Sequence, residues 1–235
     1  MIMLKKWRWI HDFVGLFYPN LCVACGQNLP PFDDLLCLKC QFELPETKYH
    51  QQPENAFVER FWGRVPIESG AALYYYNKGS RVQHLIHLLK YQNKPEIGYK
   101  LGLLYGKQLR QAENYTTIEA VVPVPLHPKK AHARGYNQAE QFSRGLAESM
   151  EIIHLPKALR RKSFTVTQTK KSRIERLENV LSAFEVVQHK KIANKHILLV
   201  DDVMTTGATL EACTLKLQEV EEVKISLATI AIASD

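Results

Sequence analysis

No apolar run in this 235-residue chain is long enough to cross a bilayer. The segment Met1 to Pro19 comes nearest, but Lys5, Lys6, Arg8, His11 and Asp12 interrupt it. That leaves neither a secretory core nor a membrane span, and a soluble cytoplasmic protein is the expectation. Cysteines are few and poorly spread for a disulfide framework, because four of the five fall between Cys22 and Cys40 and Cys213 stands alone. Nothing local would activate Cys213, so it is expected to be a small buried core residue. The phosphate loop GxxxxGKS/T is absent, since Gly106-Lys107 lacks the earlier glycine and the following hydroxyl residue, and the dinucleotide fingerprint GxGxxG is absent too. There is no internal repeat and no low-complexity tract.

What is present can build a sizeable core: 46% of the residues are hydrophobic, and the length suits one large domain with a small appendage. The net charge of +7 favours anionic partners, whether phosphorylated metabolites, nucleic acid or acidic lipid. Trp7, Ile10, Val14 and Phe17 follow a helical spacing that Pro19 stops, and this stripe is expected to pack on the protein itself. The Pro- and Gln-containing stretch around Pro45 to Pro53 reads as a connection, giving an amino-terminal unit over residues 1–55 and a main domain over 56–235.

Apolar positions predict a helix from Val82 to Leu89 that ends in the basic and aromatic pair Lys90 and Tyr91. Ala120 to Pro125 reads as a buried strand opening into a loop, and a helix should start near Asn137 and cover Gln138 to Met150. Further strands are expected at 151–155, 183–187, 197–200 and 223–232. Strands alternating with helices point to a parallel α/β sheet.

Residues 197 to 210, ILLVDDVMTTGATL, concentrate the chemistry. Ile197 to Val200 form the continuous apolar run of a central parallel strand. Asp201 and Asp202 then arrive at its carboxyl end, where open α/β sheets place their ligands. Adjacent carboxylates can accept hydrogen bonds from the vicinal hydroxyls of a ribose. The following Thr205, Thr206, Gly207, Ala208 and Thr209 lead into a helix over Leu210 to Gln218, whose first amides suit a phosphate. The plainer reading of LLVDD alone is a buried strand with a polar turn and a threonine N-cap. A Walker B strand is the other rival, and the missing phosphate loop argues against it.

Cys22-x2-Cys25 and Cys37-x2-Cys40 form two knuckles eleven residues apart, with Gly26 suited to the tight turn after the first pair. Tetrahedral zinc on four thiolates is the natural occupant, with a redox pair or an iron-sulfur cluster as the alternatives.

The 197–210 segment resembles the ribose-phosphate signature of type I phosphoribosyltransferases. VVPVPLHPKKAHARGYNQAE (Val121 to Glu140), the run with Arg160, Arg161, Thr167, Gln168, Arg176 and Asn179 before Ala183-Phe184, and LVDDVMTTGAT together resemble the ComF family. The cysteine region is similar to that family's amino-terminal zinc ribbon. The resemblance implies a type I phosphoribosyltransferase-like α/β fold, a parallel sheet flanked by helices, preceded by a small four-cysteine zinc ribbon. It implies a cytoplasmic protein of competence and DNA uptake that binds 5-phosphoribosyl-1-pyrophosphate with Mg2+, transferring or sensing the phosphoribosyl group, and that meets a competence helicase.

In that reading Asp201 and Asp202 take the ribose hydroxyls. Val203, Met204, Thr205, Thr206, Gly207, Ala208 and Thr209 line the donor site, the last five on the 5-phosphate. Lys129, Lys130, Arg134, Arg160 and Arg161 are the candidates for clamping the pyrophosphate, with Arg134 joining the two aspartates as a catalytic candidate. Thr205 stands where enzymes that salvage hypoxanthine and guanine typically carry an aspartate, and a hydroxyl is a poor base near neutral pH, so 6-oxopurine salvage is disfavoured. His127 and His132 lie near the same loop but are expected to be idle. The alternative function is a non-catalytic module that contacts single-stranded DNA. Basic clusters at 129–134, 160–162, 170–176 and 190–195 would then track phosphates, and Tyr74 to Tyr76 or Tyr136 would stack on bases.

Overall fold

The computed structural model describes residues 20–30, 35–162 and 183–234. The stripe expected within Met1 to Pro19, the cluster at 170–176 and positions Thr167, Gln168, Arg176 and Asn179 lie outside them. A loop bearing the first cysteine pair leads to α1 (Leu38–Glu43) and then to the single turn α2 (Ala56–Glu59). Asn55 caps that turn, its Oδ1 accepting from the Phe57 amide at 2.9 Å. There follow β1 (Ser69–Tyr76), α3 (Arg81–Tyr91), α4 (Pro95–Gln111), β2 (Ala120–Pro123), α5 (Pro128–Arg134) and α6 (Gln138–Met150). The chain continues through β3 (Ile153–His154), β4 (Leu159–Arg161), β5 (Phe184–Val186), α7 (His189–Ile192), β6 (His196–Met204), α8 (Ala208–Leu217) and β7 (Lys224–Ala233).

Five strands form one parallel sheet in the order β1-β7-β6-β2-β3, flanked by helices. The apolar run at 197–200 lies at its centre, with Leu198 opposite Val121 of β2 and Ser226 of β7. All four of its side chains are buried, as a strand covered on both faces requires. Three expectations change in detail. The strand expected at 151–155 is only two residues long, and among the described residues β2 is its single neighbour. The strand expected at 183–187 exists as β5 but pairs antiparallel with β4 in a separate two-stranded sheet. The stretch after the VPVP strand, read as a loop, contains α5, which Pro128 opens and Gly135 closes at φ 77°.

α4 packs along α6 at very short range. Pro95 starts α4, and Gly98, Gly102 and Gly106 recur every fourth residue, which places them on one side of the helix. A methyl group at Gly102 would strike the Phe142 carbonyl oxygen, and one at Gly145 of α6 would strike the Tyr99 carbonyl oxygen. Backbone contact of this kind admits no Cβ on either side. The α6 terminus is fixed in turn by Asn137, whose Oδ1 accepts from the Ala139 amide at 3.1 Å while its Nδ2 donates to the Val124 carbonyl at 3.0 Å. That second bond ties the start of α6 to the segment leaving the carboxyl end of β2.

Residues 45–55 run along β1. The Thr47 amide donates to the Leu73 carbonyl at 3.1 Å, the Tyr75 amide donates to the Pro45 carbonyl at 2.8 Å, and Glu46 forms an antiparallel bridge with Tyr74. The cysteine region is therefore laced to the sheet by main-chain bonds. Among the described residues no helix is long and apolar enough to cross a membrane.

Candidate functional site

β6 continues past the apolar run, through both aspartates, to Met204, and Gly207 at φ 77° turns the chain into α8. The left-handed backbone there and the close approach of Phe61 Cζ, 3.1 Å from where a Cβ would sit, both require glycine. Two arginines outside the motif hold this loop. Arg60 Nη1 donates to the Thr205 carbonyl and its Nη2 donates to the Ala233 carbonyl at 2.8 Å. Arg64 Nη1 donates to the Thr206 carbonyl at 3.2 Å, and its other nitrogen pairs with Glu211 in the first turn of α8.

Successive strand residues leave opposite faces of a sheet, and the partners of the two aspartates follow that rule. Asp202 Oδ1 lies 3.1 Å from Lys90 Nζ, at the carboxyl end of α3. Asp201 Oδ1 accepts from the Asp202 amide at 2.8 Å and lies near Arg161 and the buried Cys213 of α8. Burial, reinforced by the neighbouring Asp202 charge, raises the Asp201 carboxyl to about 7, against the opposing pull of its backbone hydrogen bond, Lys90 and Arg161. Burial, with the Asp201 charge behind it, keeps the Cys213 thiol protonated, which fits the inert core residue expected from the sequence.

The carboxyl ends of β2 and β6 meet the end of α3. Arg134, at the end of α5, lies with its guanidinium carbon 5.2 Å from the centre of the Tyr91 ring and donates to Gln138 Oε1 at 2.8 Å. Tyr136 Oη donates to the Leu89 carbonyl. Arg134 and Asp202 thus border adjacent residues of α3, Tyr91 and Lys90. Lys129 and Lys130 are exposed on α5. His127 caps that helix, its Nδ1 accepting from the Lys129 amide at 3.2 Å, and His132 is exposed. Arg160 is exposed on β4 and paired with Glu185 of β5 at 2.7 Å, while its neighbour Arg161 acts on Asp201.

Lys90, Arg60 and Arg64 are ordered here although the sequence does not name them for this site, whereas Arg161 is one of its clamp candidates. The only local signal among them is the basic and aromatic ending of α3. Two features of the nucleic-acid reading are corrected. Tyr74 is buried within β1 and has no free face for a base, and the cluster at 190–195 precedes β6, so it lies at the opposite end of the sheet from Lys129 and Arg134. That amino end also carries a cavity of about 760 Å³ lined by Glu68, Glu119, Lys195, His196 and Lys224 among others. Its mixed charges and its place at the wrong end of a parallel sheet separate it from the chemistry of the aspartates.

The cysteines form a second centre. Thiolates on the corners of a zinc tetrahedron with bonds of about 2.3 Å stand about 3.8 Å apart. Cys25 Sγ and Cys37 Sγ are 3.7 Å apart, and the four sulfur atoms of Cys22, Cys25, Cys37 and Cys40 lie within 4.8 Å of one another. The Cys37 amide points at Cys22 Sγ at 3.3 Å, and Gly26, at φ 73°, turns its amide onto the Cys22 carbonyl at 2.8 Å. Burial disfavours ionisation of Cys22, but amide hydrogen bonds outweigh it and bring that thiol down to about 7. Burial and the facing thiols push Cys40 far upward. A cluster of this geometry and donor type can hold a thiophilic cation.

Comparison with known proteins places the chain among relatives with a phosphoribosyl transferase domain. The phosphoribosyl transferase domain family matches residues 134–233, which contain β6, the loop and α8. Competence protein F of Haemophilus influenzae is 29% identical over 224 residues, covering 89% of this chain and 96% of that protein. DNA utilization protein YhgH of Escherichia coli is 30% identical over 207 residues, 84% of this chain and 83% of that one. Competence protein ComFC of Streptococcus pneumoniae is 33% identical over 219 residues, 84% and 93% respectively. The fold is that of a phosphoribosyltransferase-like α/β domain with an amino-terminal four-cysteine cluster. The chain belongs to the ComF family.

Proposed function

We propose that this protein binds 5-phosphoribosyl-1-pyrophosphate at the carboxyl end of β6 and serves in the uptake and use of DNA, as the names of its relatives suggest. The observation that carries the reading is the sequence of groups along one short path: two carboxylates ending a buried strand, then a glycine-turned loop anchored by two arginines, then a helix start. Asp201 and Asp202 accept the ribose hydroxyls. The amides and hydroxyls from Val203 and Met204 through Thr205, Thr206, Gly207, Ala208 and Thr209 receive the 5-phosphate, helped by the positive end of α8. Arg134, Lys129 and Lys130 face the pyrophosphate from α5, and Arg160 and Arg161 approach from β4. Mg2+ would arrive on the donor's own oxygens, and the carboxylates at the strand end are donors of the class it prefers. Its chemistry there would be to neutralise charge on the leaving pyrophosphate. Zinc is the proposed occupant of the four cysteines.

Turnover would require an acceptor nucleophile, and Thr205 offers no base for a purine proton. Transfer to an unidentified acceptor and sensing of the donor are therefore both compatible with the same binding chemistry. The exposed Lys129 and Lys130 on α5 also give the site a cationic rim that single-stranded DNA could follow, and such contact would weaken steeply with salt.

Calorimetric titration with the donor and Mg2+ tests the binding claim. The wild type should bind, and the Asp201→Asn/Asp202→Asn double variant should lose on the order of a hundredfold in affinity or more, since each lost charged acceptor is worth about 1.5 to 3 kcal/mol. Oligonucleotide affinity should survive that change if DNA is held by the rim. Equal donor affinity in variant and wild type would remove the aspartates from the site.

A further inference from the structure

The ion pair between Lys90 and Asp202 joins the carboxyl end of α3 to the ligand end of β6. Its Nζ to Oδ1 distance is 3.1 Å, and the two side chains are only 22% and 13% exposed. A pair so far withdrawn from water is held more rigidly than a surface pair and is much less screened by salt. The lysine has little freedom to leave. Val82, Leu85, Ile86 and Leu89 bury one side of α3, Ser80 caps its start, and Tyr136 Oη is bonded to the Leu89 carbonyl one residue before the lysine. The ammonium is therefore delivered to Asp202 by a fixed helix end rather than by a wandering side chain.

We propose that Lys90 is a positioning residue of the donor site, holding Asp202 oriented as the acceptor for a ribose hydroxyl. The inference rests on the phosphoribosyl reading above and adds to it a residue that comes from outside the matched segment 134–233. The physical need is plain. Two adjacent carboxylates at one strand end disfavour each other's ionisation, and a diol is gripped best when an ionised carboxylate accepts from it. Among the described residues, the charged and titratable groups that face the pair are Lys90 from α3, Arg161 from β4 and Cys213 from α8. Burial keeps the thiol protonated, so it contributes no charge. Lys90 is the cation in direct contact with Asp202, and it also opposes the rise at Asp201.

The test is donor titration of the full chain at a single neutral pH in wild type, Lys90→Gln and Lys90→Arg. The probes are 5-phosphoribosyl-1-pyrophosphate and ribose 5-phosphate. Lys90→Gln should weaken both ligands about tenfold, while Lys90→Arg should bind nearly as the wild type does. Loss confined to the pyrophosphate ligand would overturn the proposal and assign Lys90 to the donor's phosphates. So would a Lys90→Gln variant indistinguishable from wild type, or a Lys90→Arg variant as weak as Lys90→Gln. If the wild type itself bound neither ligand, the failure would lie with the phosphoribosyl reading.

Discussion

Asp201→Asn should melt higher than the wild type at about pH 8, by about 4 to 8 °C for a gain of about 2 kcal/mol. Burial and the Asp202 charge raise the folded-state carboxyl to about 7. The unfolded chain ionises it near the ordinary aspartate value of about 3.9. Between those values the folded protein keeps a proton that the unfolded chain has released, so unfolding releases protons and a rise in pH favours it. The destabilisation grows from about pH 4 to about pH 7 and is constant above. A displacement of roughly three units corresponds to about 4 kcal/mol, and local relaxation and the coupling to Asp202 justify expecting about half of it. Asparagine keeps the shape and an acceptor for the Asp202 amide but never ionises. Thermal melts at stepped pH should show the gap between the two proteins widening up to neutrality and then flat. A gap independent of pH, or an asparagine variant that melts lower at alkaline pH, would mean that the carboxylate is not strained by its burial.

That expectation couples stability to function. A group that weakens the fold when ionised, at the end of a central strand, is what a binding site requires and what packing alone would avoid. Its neighbours follow the same logic, since Lys90 and Arg161 offset part of the strain without abolishing it.

The sequence discloses this site only where the residues are contiguous. Ile197 to Thr209 read correctly as strand, turn and helix start because burial on both faces, a left-handed glycine and a helix terminus are all local properties. Lys90, Arg60 and Arg64 reach the same place through tertiary packing; nothing local distinguishes the two arginines from solvated charge, and Lys90 shows only as part of a basic and aromatic helix ending. α4 was hidden for a different reason. Glycine costs a helix about 1 kcal/mol relative to alanine, so Gly98, Gly102 and Gly106 argue against one when propensity is the only guide. The close backbone approach of α6 outweighs that cost, and such an approach is invisible until both helices are placed. β1 conceals itself similarly, because Gly70 must be small to pass Phe57 and its tyrosines look available when they are mostly packed. β5 was legible as a strand, yet alternation alone cannot say which sheet a three-residue strand joins.

Removal of metal should unfold the cysteine region while leaving the sheet intact. The buried side chains local to the region are few, chiefly Ala24, Leu29, Leu35, Leu36 and Leu44, too small a core to hold a loop and a six-residue helix by burial alone. Zinc bound to four thiolates contributes about 10 to 16 kcal/mol in small finger domains, and that energy is folding energy because the site does not exist in the unfolded chain. The purified protein should carry one zinc ion per chain by elemental analysis. After chelation, hydrogen exchange should lose its protection at the Gly26 and Cys37 amides, which now bond within the loop, and keep it along β6 and β7. Thiols bind the metal only as thiolates, so acidification must release it as protons compete for the sulfurs. Cys22 already ionises near neutrality through its amide hydrogen bonds, whereas Cys40 is driven far upward without a cation, so the metal must supply most of the ionisation at that corner. Arg81 gives the region a further readout, because its guanidinium sits 3.9 Å from Cys40 Sγ and 2.7 Å from Glu43 Oε2 at the start of α3. Metal loss should therefore loosen the first turn of α3 before its buried middle. Full amide protection at residues 22–40 in demonstrably metal-free protein would show that the four sulfurs converge for some reason other than a cation.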